Sequence, residues 1–336
     1  MRVEKLVVFR GLHLGDLVAA TGALRALRRG YPEAEITLVS LPWATTLTPH
    51  LPYIDRLVPY PGAPGLDGEG NEEELEKFLA QTRAERFDLA LNMHGRGPTS
   101  TRLVARFEAC RTAGFTKAGI EAPALDVEVP WEAELHESRK LLLLAKRAGG
   151  LPAGASGGAE PELRVRVEDD RRARGVLLPA DSRKPLALVH PGASVSEKRW
   201  PGEAFGQVAK GLLRCGYAVA VTGGSGEKDL TRRVAGLAPG ALDLGDRTDL
   251  STFVALVARA NVVVTNDTGP AHLAYALRTP SVTLFGPSTD VGRWGPLNRE
   301  WHAVLFGNPI SKVSADAVIE RVEGLVSGRE GERLGA

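Results

Sequence analysis

Short apolar runs alternate along this chain with longer amphipathic stretches. Residues 5–9 (KLVVF) form the first run, and the stretch 16–29 that follows places Leu17, Ala20, Leu24 and Leu27 on one helical face. Strands are expected again at 35–40 and 87–92, with helices at 71–86, 98–107 and 135–148. The rhythm breaks at 149–158 (GGLPAGASGG), whose composition offers little to a core and reads as a linker or hinge. It then resumes, with strands near 186–190, 217–221, 242–244, 261–265 and 281–285, and helices near 202–214, 227–237, 250–260 and 315–326. Alternating β and α with short connections predicts parallel sheets covered on both faces. The expected fold is therefore α/β, with two doubly wound Rossmann-like domains. The first spans 1–150, a linker 151–162, the second 163–312. A final helical stretch at 313–336 either completes the second domain or returns to the first. Two such domains joined by a hinge place a ligand cleft between facing carboxyl edges of their sheets.

Composition narrows the class. Of 336 residues, 43% are hydrophobic and 25% charged, which suits a globular chain of about two domains. A formal net charge of +1 gives no reason to expect nucleic acid as a partner. Cys110 and Cys215 stand far apart and suit a reducing compartment. The opening MRVEKLVVFRGLHLGD ends its apolar run at Arg10 without a cleavage pattern, and no stretch approaches a membrane span of about 18 apolar residues, so a cytoplasmic location is expected.

The stretch VVVTNDTGPAH at 262–272 reads as a buried strand, a tight loop and a helix start. Thr268 or Gly269 is expected at the N-cap with Pro270 at the first helical position, where its missing N–H costs nothing. Free N–H groups of that first turn make an anion site at the sheet's carboxyl edge. Three further loops fall at strand ends on the same edge: 190–201 with Gly192, Ser194 and Lys198; 222–227 with Thr222, Gly223 and Glu227; and 285–290 with Gly286. Small residues admit close backbone approach and hydroxyls donate to phosphate oxygens, so a nucleotide diphosphate is the simplest ligand for the set. Beside pyrophosphate, Lys198 would neutralise charge developing on a leaving group. Asp267 would repel phosphate, so capping, ordering the loop or bonding a sugar hydroxyl suits it better. His272 either donates to a phosphate or is a half-buried helix residue. In the first half, the loop 10–16 (RGLHLGD) lacks the dinucleotide fingerprint and ends in Asp16. Asp16 is expected as N-cap of the next helix and as a carboxylate able to accept a proton; His13 is a second candidate base.

These residues resemble glycosyltransferase family 9, the heptosyltransferases that build the lipopolysaccharide inner core from ADP-heptose. The resemblance rests on Leu14-Gly15-Asp16, the stretch from Thr21 to Arg28 with Tyr31-Pro32, His190-Pro191-Gly192, Lys198-Arg199-Trp200-Pro201, the stretch from Asn266 to Ala274, and Phe285-Gly286-Pro287-Ser288. It implies a GT-B fold, with acceptor on the first domain and nucleotide-sugar on the second, and inversion at the anomeric carbon without a metal or other cofactor. By position, Asp16 matches the general base and Lys198 the phosphate-binding lysine; both are assigned as catalytic. Thr268, Gly269 and His272 would line the donor phosphates, Glu227 the ribose, and Asp267 the donor site. Gly192, Ser194, Thr222, Gly223 and Gly286 complete the expected donor set. His13 and Arg96 are the expected acceptor contacts, although His13 and the segment 92–97 depart from the family's pattern; Arg102 and Arg106 read as a solvated helix face. The implied partners are an ADP-sugar donor and a glycan or glycolipid acceptor, with peripheral contact at the inner membrane face. A GT-B nucleotide-sugar epimerase and a non-catalytic nucleotide-sugar binder are the competing functions. ADP release separates transferase from binder, and isomerised donor without ADP release marks the epimerase.

Overall fold

The computed structural model describes residues 2–68, 70–95, 97–151, 158–177 and 183–333, with side chains through 326. The chain divides into two compact units, Met1–Glu162 and Leu163–Ala336.

The first unit runs β1 (Lys5–Phe9), α1 (Leu14–Ala19), α2 (Thr21–Gly30), β2 (Glu35–Ser40), β3 (Arg56–Pro59), α3 (Glu72–Ala84), β4 (Leu89–Asn92), α4 (Pro98–Ala105), β5 (Arg111–Thr116), β6 (Val127–Pro130) and α5 (Glu137–Arg147). Its six strands lie in the order β3-β2-β1-β4-β5-β6, with β1 parallel to both β2 and β4. Leu6, Val7, Val8 and Phe9 are fully buried, as a central parallel strand covered on both faces requires. One side of the sheet packs Phe9, Tyr60, Phe78 and Phe107 edge to face. The helix expected at 16–29 is two helices, broken at Ala20, and the first begins at Leu14. Asp16 therefore stands in the first turn of α1 and does not cap it; His13 holds the cap position in extended backbone without a side-chain bond.

The expected linker is partly packed. Leu151 N–H donates to Ala26 O at 2.8 Å, and a Cβ on Gly150 would lie 3.1 Å from the Ala26 carbonyl carbon, so the missing side chains let the backbone run against α2. Further on, the Arg25 guanidinium bonds Gly158 O and Glu160 O at 3.0 and 3.1 Å and pairs with Glu162. The Glu162 N–H donates to Thr21 Oγ1 at 2.9 Å. Residues 158–162 are thus strapped to α2 rather than free, and 152–157 lie outside the described residues.

The second unit runs α6 (Val167–Leu177), β7 (Leu186–His190), α7 (Gly202–Arg214), β8 (Ala218–Gly223), α8 (Lys228–Leu237), β9 (Leu242–Gly245), α9 (Leu250–Arg259), β10 (Val262–Asn266), α10 (Gly269–Leu277), β11 (Ser281–Phe285), α11 (Val291–Trp294), β12 (His302–Phe306) and α12 (Ala315–Arg333). Its sheet order, β12-β11-β10-β7-β8-β9, repeats that of the first unit. In each sheet the order reverses between the first and fourth strands, β1/β4 and β7/β10, and the carboxyl ends at such a switch point are where ligands bind in folds of this type. The core gathers Trp200, Phe205, Leu212, Val264 and Leu284. Val318 and Val322 of α12 are fully buried in that core, so the described part of the last helix completes the second unit.

Candidate functional site

In the second unit the switch point is organised by Asn266, the last residue of β10. Its amide nitrogen donates to Pro191 O at 2.9 Å and Gly192 O at 3.2 Å, while its oxygen accepts from the Trp200 N–H at 3.0 Å. The side chain is fully buried and satisfied on three sides, so both limbs of the 190–201 loop are fixed to the end of β10. Asp267 follows, 3% exposed, with Oδ2 accepting from Lys198 Nζ at 2.8 Å. The lysine keeps 29% of its side chain exposed, so its charge is held on the loop and still faces solvent. Of the roles expected for Asp267, its ion pair serves the ordering of the loop, while Thr268 and not Asp267 holds the cap position. Thr268 occupies the N-cap of α10 in extended backbone without a side-chain capping bond. Gly269 starts the helix and Pro270 stands second, one position later than expected. The α10 N-terminus and the Lys198 ammonium both offer positive potential to an anion. His272, 8% exposed, sits edge to face between Tyr275 and Trp294, with centroids at 5.5 and 5.9 Å.

Across the sheet edge, His190 ends β7 and Thr222 lies near the end of β8. Their Nδ1 and Oγ1 atoms are 3.1 Å apart, and His190 Nε2 is 3.6 Å from Glu227 Oε2. Burial pushes the His190 imidazolium down from its usual range, and the Glu227 charge only partly offsets this. Glu227 Oε2 accepts the Gly224 N–H at 2.9 Å. A Cβ on Gly192 would lie 1.9 Å from Glu227 Oε1, so the carboxylate's position depends on that glycine. A Cβ on Gly223 would lie 2.6 Å from the Thr231 methyl. Gly286 lies against Ile310, and Ser194 is exposed on its loop.

The first unit holds a different constellation. Arg10, one residue past β1 and 1% exposed, donates from Nε to Asp16 O at 2.6 Å and from Nη1 to Met93 O. Its Nη2 is 3.4 Å from Glu137 Oε1 on α5 and 3.6 Å from Asp16 Oδ1 on α1. Glu137 Oε2 in turn lies 3.2 Å from Lys140 Nζ, which sits 4.3 Å over the Trp131 ring. Asp16 is the open end of this chain of charges, with 21% of its side chain exposed. His94, after β4, stacks on Phe9 at 4.7 Å and accepts the Gly11 N–H at Nδ1. That bond assigns the proton to Nε2. Burial first, then the Arg10 charge, lower the His94 pKa to about 4, against a small opposing effect of Asp67.

The sequence profile of "Glycosyltransferase family 9 (heptosyltransferase)" matches residues 75–320, well over half of the chain. The chain belongs to glycosyltransferase family 9. Lipopolysaccharide heptosyltransferase 2 of Salmonella typhimurium is 26% identical over 300 residues, covering 85% of this chain and 83% of that one. The crystal structure of a family 9 glycosyl transferase from Veillonella parvula superposes with a TM-score of 0.84 at 21% identity, over 98% of this chain and 99% of the other. Escherichia coli heptosyltransferase WaaC, solved with ADP, gives 0.74 at 20% identity over 96% and 99%. These likenesses give the fold, a GT-B pair of Rossmann-like domains, as the resemblance implies.

Within this family 9 chain, the structure brings together Lys198, Asp267, Thr268 and Gly269 at one switch point, with Gly192, Thr222, Gly223 and Glu227 along the same edge. Arg96 lies outside the described residues. His13 is exposed at the cap of α1, Arg102 is exposed, and Arg106 pairs with Glu76. Among the described residues no three His, Cys, Asp or Glu side chains are grouped to hold a metal ion, and no helix is long and apolar enough to cross a membrane. Five participants are given no individual role by the sequence. His190, Asn266 and Arg10 end or directly follow apolar strands, a position that was a signal in itself. Glu137 and its neighbour Lys140 lie on an ordinary amphipathic helix and carry no local signal.

Proposed function

We propose that this chain is an inverting, metal-independent glycosyltransferase that moves heptose from ADP-heptose to a lipopolysaccharide-core or related glycan acceptor. Its relatives' names, lipopolysaccharide heptosyltransferases, and the ADP-bound E. coli neighbour support the donor and acceptor classes. The observation that carries the reading is the end of β10, where the α10 N-terminus follows directly on Asp267 and its ion pair with Lys198, positive groups that in this reading would receive the two phosphates.

In the proposed reaction an acceptor hydroxyl gives its proton to Asp16 as its oxygen attacks the anomeric carbon of the heptose. The bond from that carbon to the β-phosphate oxygen breaks on the opposite face, ADP leaves, and the configuration inverts. Charge grows on the departing phosphate, where Lys198 and the α10 N–H groups, with Thr268, Gly269 and His272, compensate it. Asp267 presents Lys198 rather than touching phosphate. Glu227 accepts the ribose hydroxyls, with the backbone at Gly192, Ser194, Thr222, Gly223 and Gly286 close to the nucleotide. His13 and Arg96 are the proposed acceptor contacts, and a lipid-borne acceptor implies peripheral contact with the inner membrane face.

The test is ADP release from ADP-heptose with a truncated lipopolysaccharide core, in the presence of EDTA. Asp16→Asn is expected to lower turnover at least a hundredfold, within the range for loss of a general base, and to leave ADP binding intact. Unchanged turnover in that variant overturns the base assignment. Isomerised donor without ADP would make the chain an epimerase, and ADP binding with neither product would make it a binder.

A further inference from the structure

The carboxylate proposed as base does not stand alone. Arg10 Nη2 is nearly equidistant from Asp16 Oδ1 at 3.6 Å and Glu137 Oε1 at 3.4 Å, and the guanidinium is buried on every side. A full cation at that distance, inside a protein, strongly favours the ionised carboxylate and so makes it a poor proton acceptor. Here the cation is shared. Glu137 is 4% exposed, and its other oxygen is 3.2 Å from Lys140, itself 1% exposed over the Trp131 ring. From the surface inward these four charges alternate in sign: negative, positive, negative, positive. The groups facing Arg10 from the elements packed on it are Asp16 on α1, Glu137 on α5 and, after β4, His94, which is neutral with its proton on Nε2.

We propose that Glu137, backed by Lys140, is a positioning residue for the transfer reaction: it draws off the Arg10 charge so that Asp16 is oriented by the guanidinium yet remains basic enough to take the acceptor's proton. Arg10 fixes the geometry through two hydrogen bonds, Nε to the Asp16 carbonyl and Nη1 to the Met93 carbonyl, and two ion pairs from Nη2, one to each carboxylate. A buried ion pair that served stability alone would be replaceable by apolar groups of similar volume at little cost. The difference lies in what replacement does to Asp16.

This inference rests on the assignment of Asp16 as base, and the experiment separates the two. The pH dependence of kcat/KM is measured by ADP release from ADP-heptose with a truncated lipopolysaccharide core. The variants are Glu137→Gln/Lys140→Met, Glu137→Asp and Asp16→Asn. The double variant removes one charge of each sign and so leaves the local net charge unchanged, whereas Glu137→Gln alone leaves the Arg10 and Lys140 cations without the carboxylate between them; folding of the double variant is checked by its urea midpoint. With the full Arg10 charge now on Asp16, the acid limb is expected to move down by about one pH unit. The plateau is expected to fall about three- to tenfold, because the base is weaker. The variant thus keeps or exceeds the wild-type rate in acid and loses rate at neutral pH, a pH-dependent change that lost stability does not produce. Glu137→Asp keeps the charge and is expected to return the limb to its wild-type position. An acid limb unmoved in the folded double variant, with Asp16→Asn inactive, overturns the role of Glu137 and leaves the base standing. Turnover retained in Asp16→Asn, or absent in wild type, overturns the base assignment and this inference with it.

Discussion

Gly192→Ala is a sharp probe of the second unit's switch point. The new Cβ would lie 1.9 Å from Glu227 Oε1 and 2.2 Å from its carboxyl carbon, closer than any tolerated contact, and nothing else is among its nearest atoms. Gly192 does not have a positive φ, so alanine is allowed by the backbone there and on its own should stabilise by about 0.4–1 kcal/mol. The cost falls on the carboxylate, which must swing away and give up its bond from the Gly224 N–H. A hydrogen bond to a charged group contributes about 1.5–3 kcal/mol, so the net loss is expected at about 1–2 kcal/mol. Urea unfolding midpoints give that number, and titration calorimetry with ADP gives a second, an expected loss of about tenfold or more in affinity if Glu227 holds the ribose. The decisive arm is a double-mutant cycle. In a Glu227→Ala background the colliding atoms are gone, and Gly192→Ala should be neutral or stabilising and without further effect on ADP. A Gly192→Ala penalty equal in both backgrounds would refute the dependence of Glu227 on that glycine.

Other consequences can be measured in the same assays. Lys198→Ala leaves the Asp267 carboxylate, 4% exposed, without its cation, so stability should fall by about 3 kcal/mol, the low end for a broken buried pair because the lysine is partly exposed. Turnover and ADP affinity should fall with it; adding Asp267→Asn should restore the urea midpoint but not the turnover, and full recovery of turnover would remove Lys198 from the reaction. For His94, the folded pKa of about 4 lies below the ordinary 6.5, so the unfolded state binds the extra proton between those values. Its contribution is complete above about pH 6.5 and is lost as pH falls toward 4, by up to about 3 kcal/mol. His94→Gln, which retains an acceptor for Gly11, should flatten the dependence of unfolding free energy on pH in that window; an unchanged slope would show that His94 is not the group responsible.

Much of this architecture was legible because it depends on local pattern. The buried strands at 5–9, 186–190 and 281–285 read as short, mostly apolar runs, and amphipathic helices such as α7 repeat at the right spacing. The strands passed over are short or lie toward the edges: β3 carries Arg56 and Pro59, β5 holds Gly114, and Phe306 of β12 is 56% exposed, so none offers a run buried on both faces. Within 149–158, residues 152–157 lie outside the described residues; at Gly150 the missing side chain permits a close backbone approach to α2, a packing role that composition alone does not reveal. At the candidate site, strand-end glycines and hydroxyls were visible. The pairing of Lys198 with Asp267 was not, because 69 residues separate them and only the register of β7 beside β10 brings their loops together. The Arg10 to Lys140 chain was hidden for the same reason, spanning 127 residues between Arg10 and Glu137.

Asn266 also bears on when a nascent chain acquires its ligand. Its bonds reach back 74 and 75 residues to Gly192 and Pro191 and 66 to Trp200. During synthesis the 190–201 loop is complete long before β10 leaves the ribosome; its own Arg199 to Ala193 bond can form early, but the bonds that fix both limbs to the sheet wait for Asn266. β10 must also insert beside β7 before the loop closes, and β11 must pair on its other side. If the proposed donor site is correct, a nucleotide has no formed seat on a chain that ends short of Asn266, and it cannot assist the early steps by mass action. ADP binding would thus serve as a clock for the last step of assembly in the second unit, appearing only once the switch-point strands have paired.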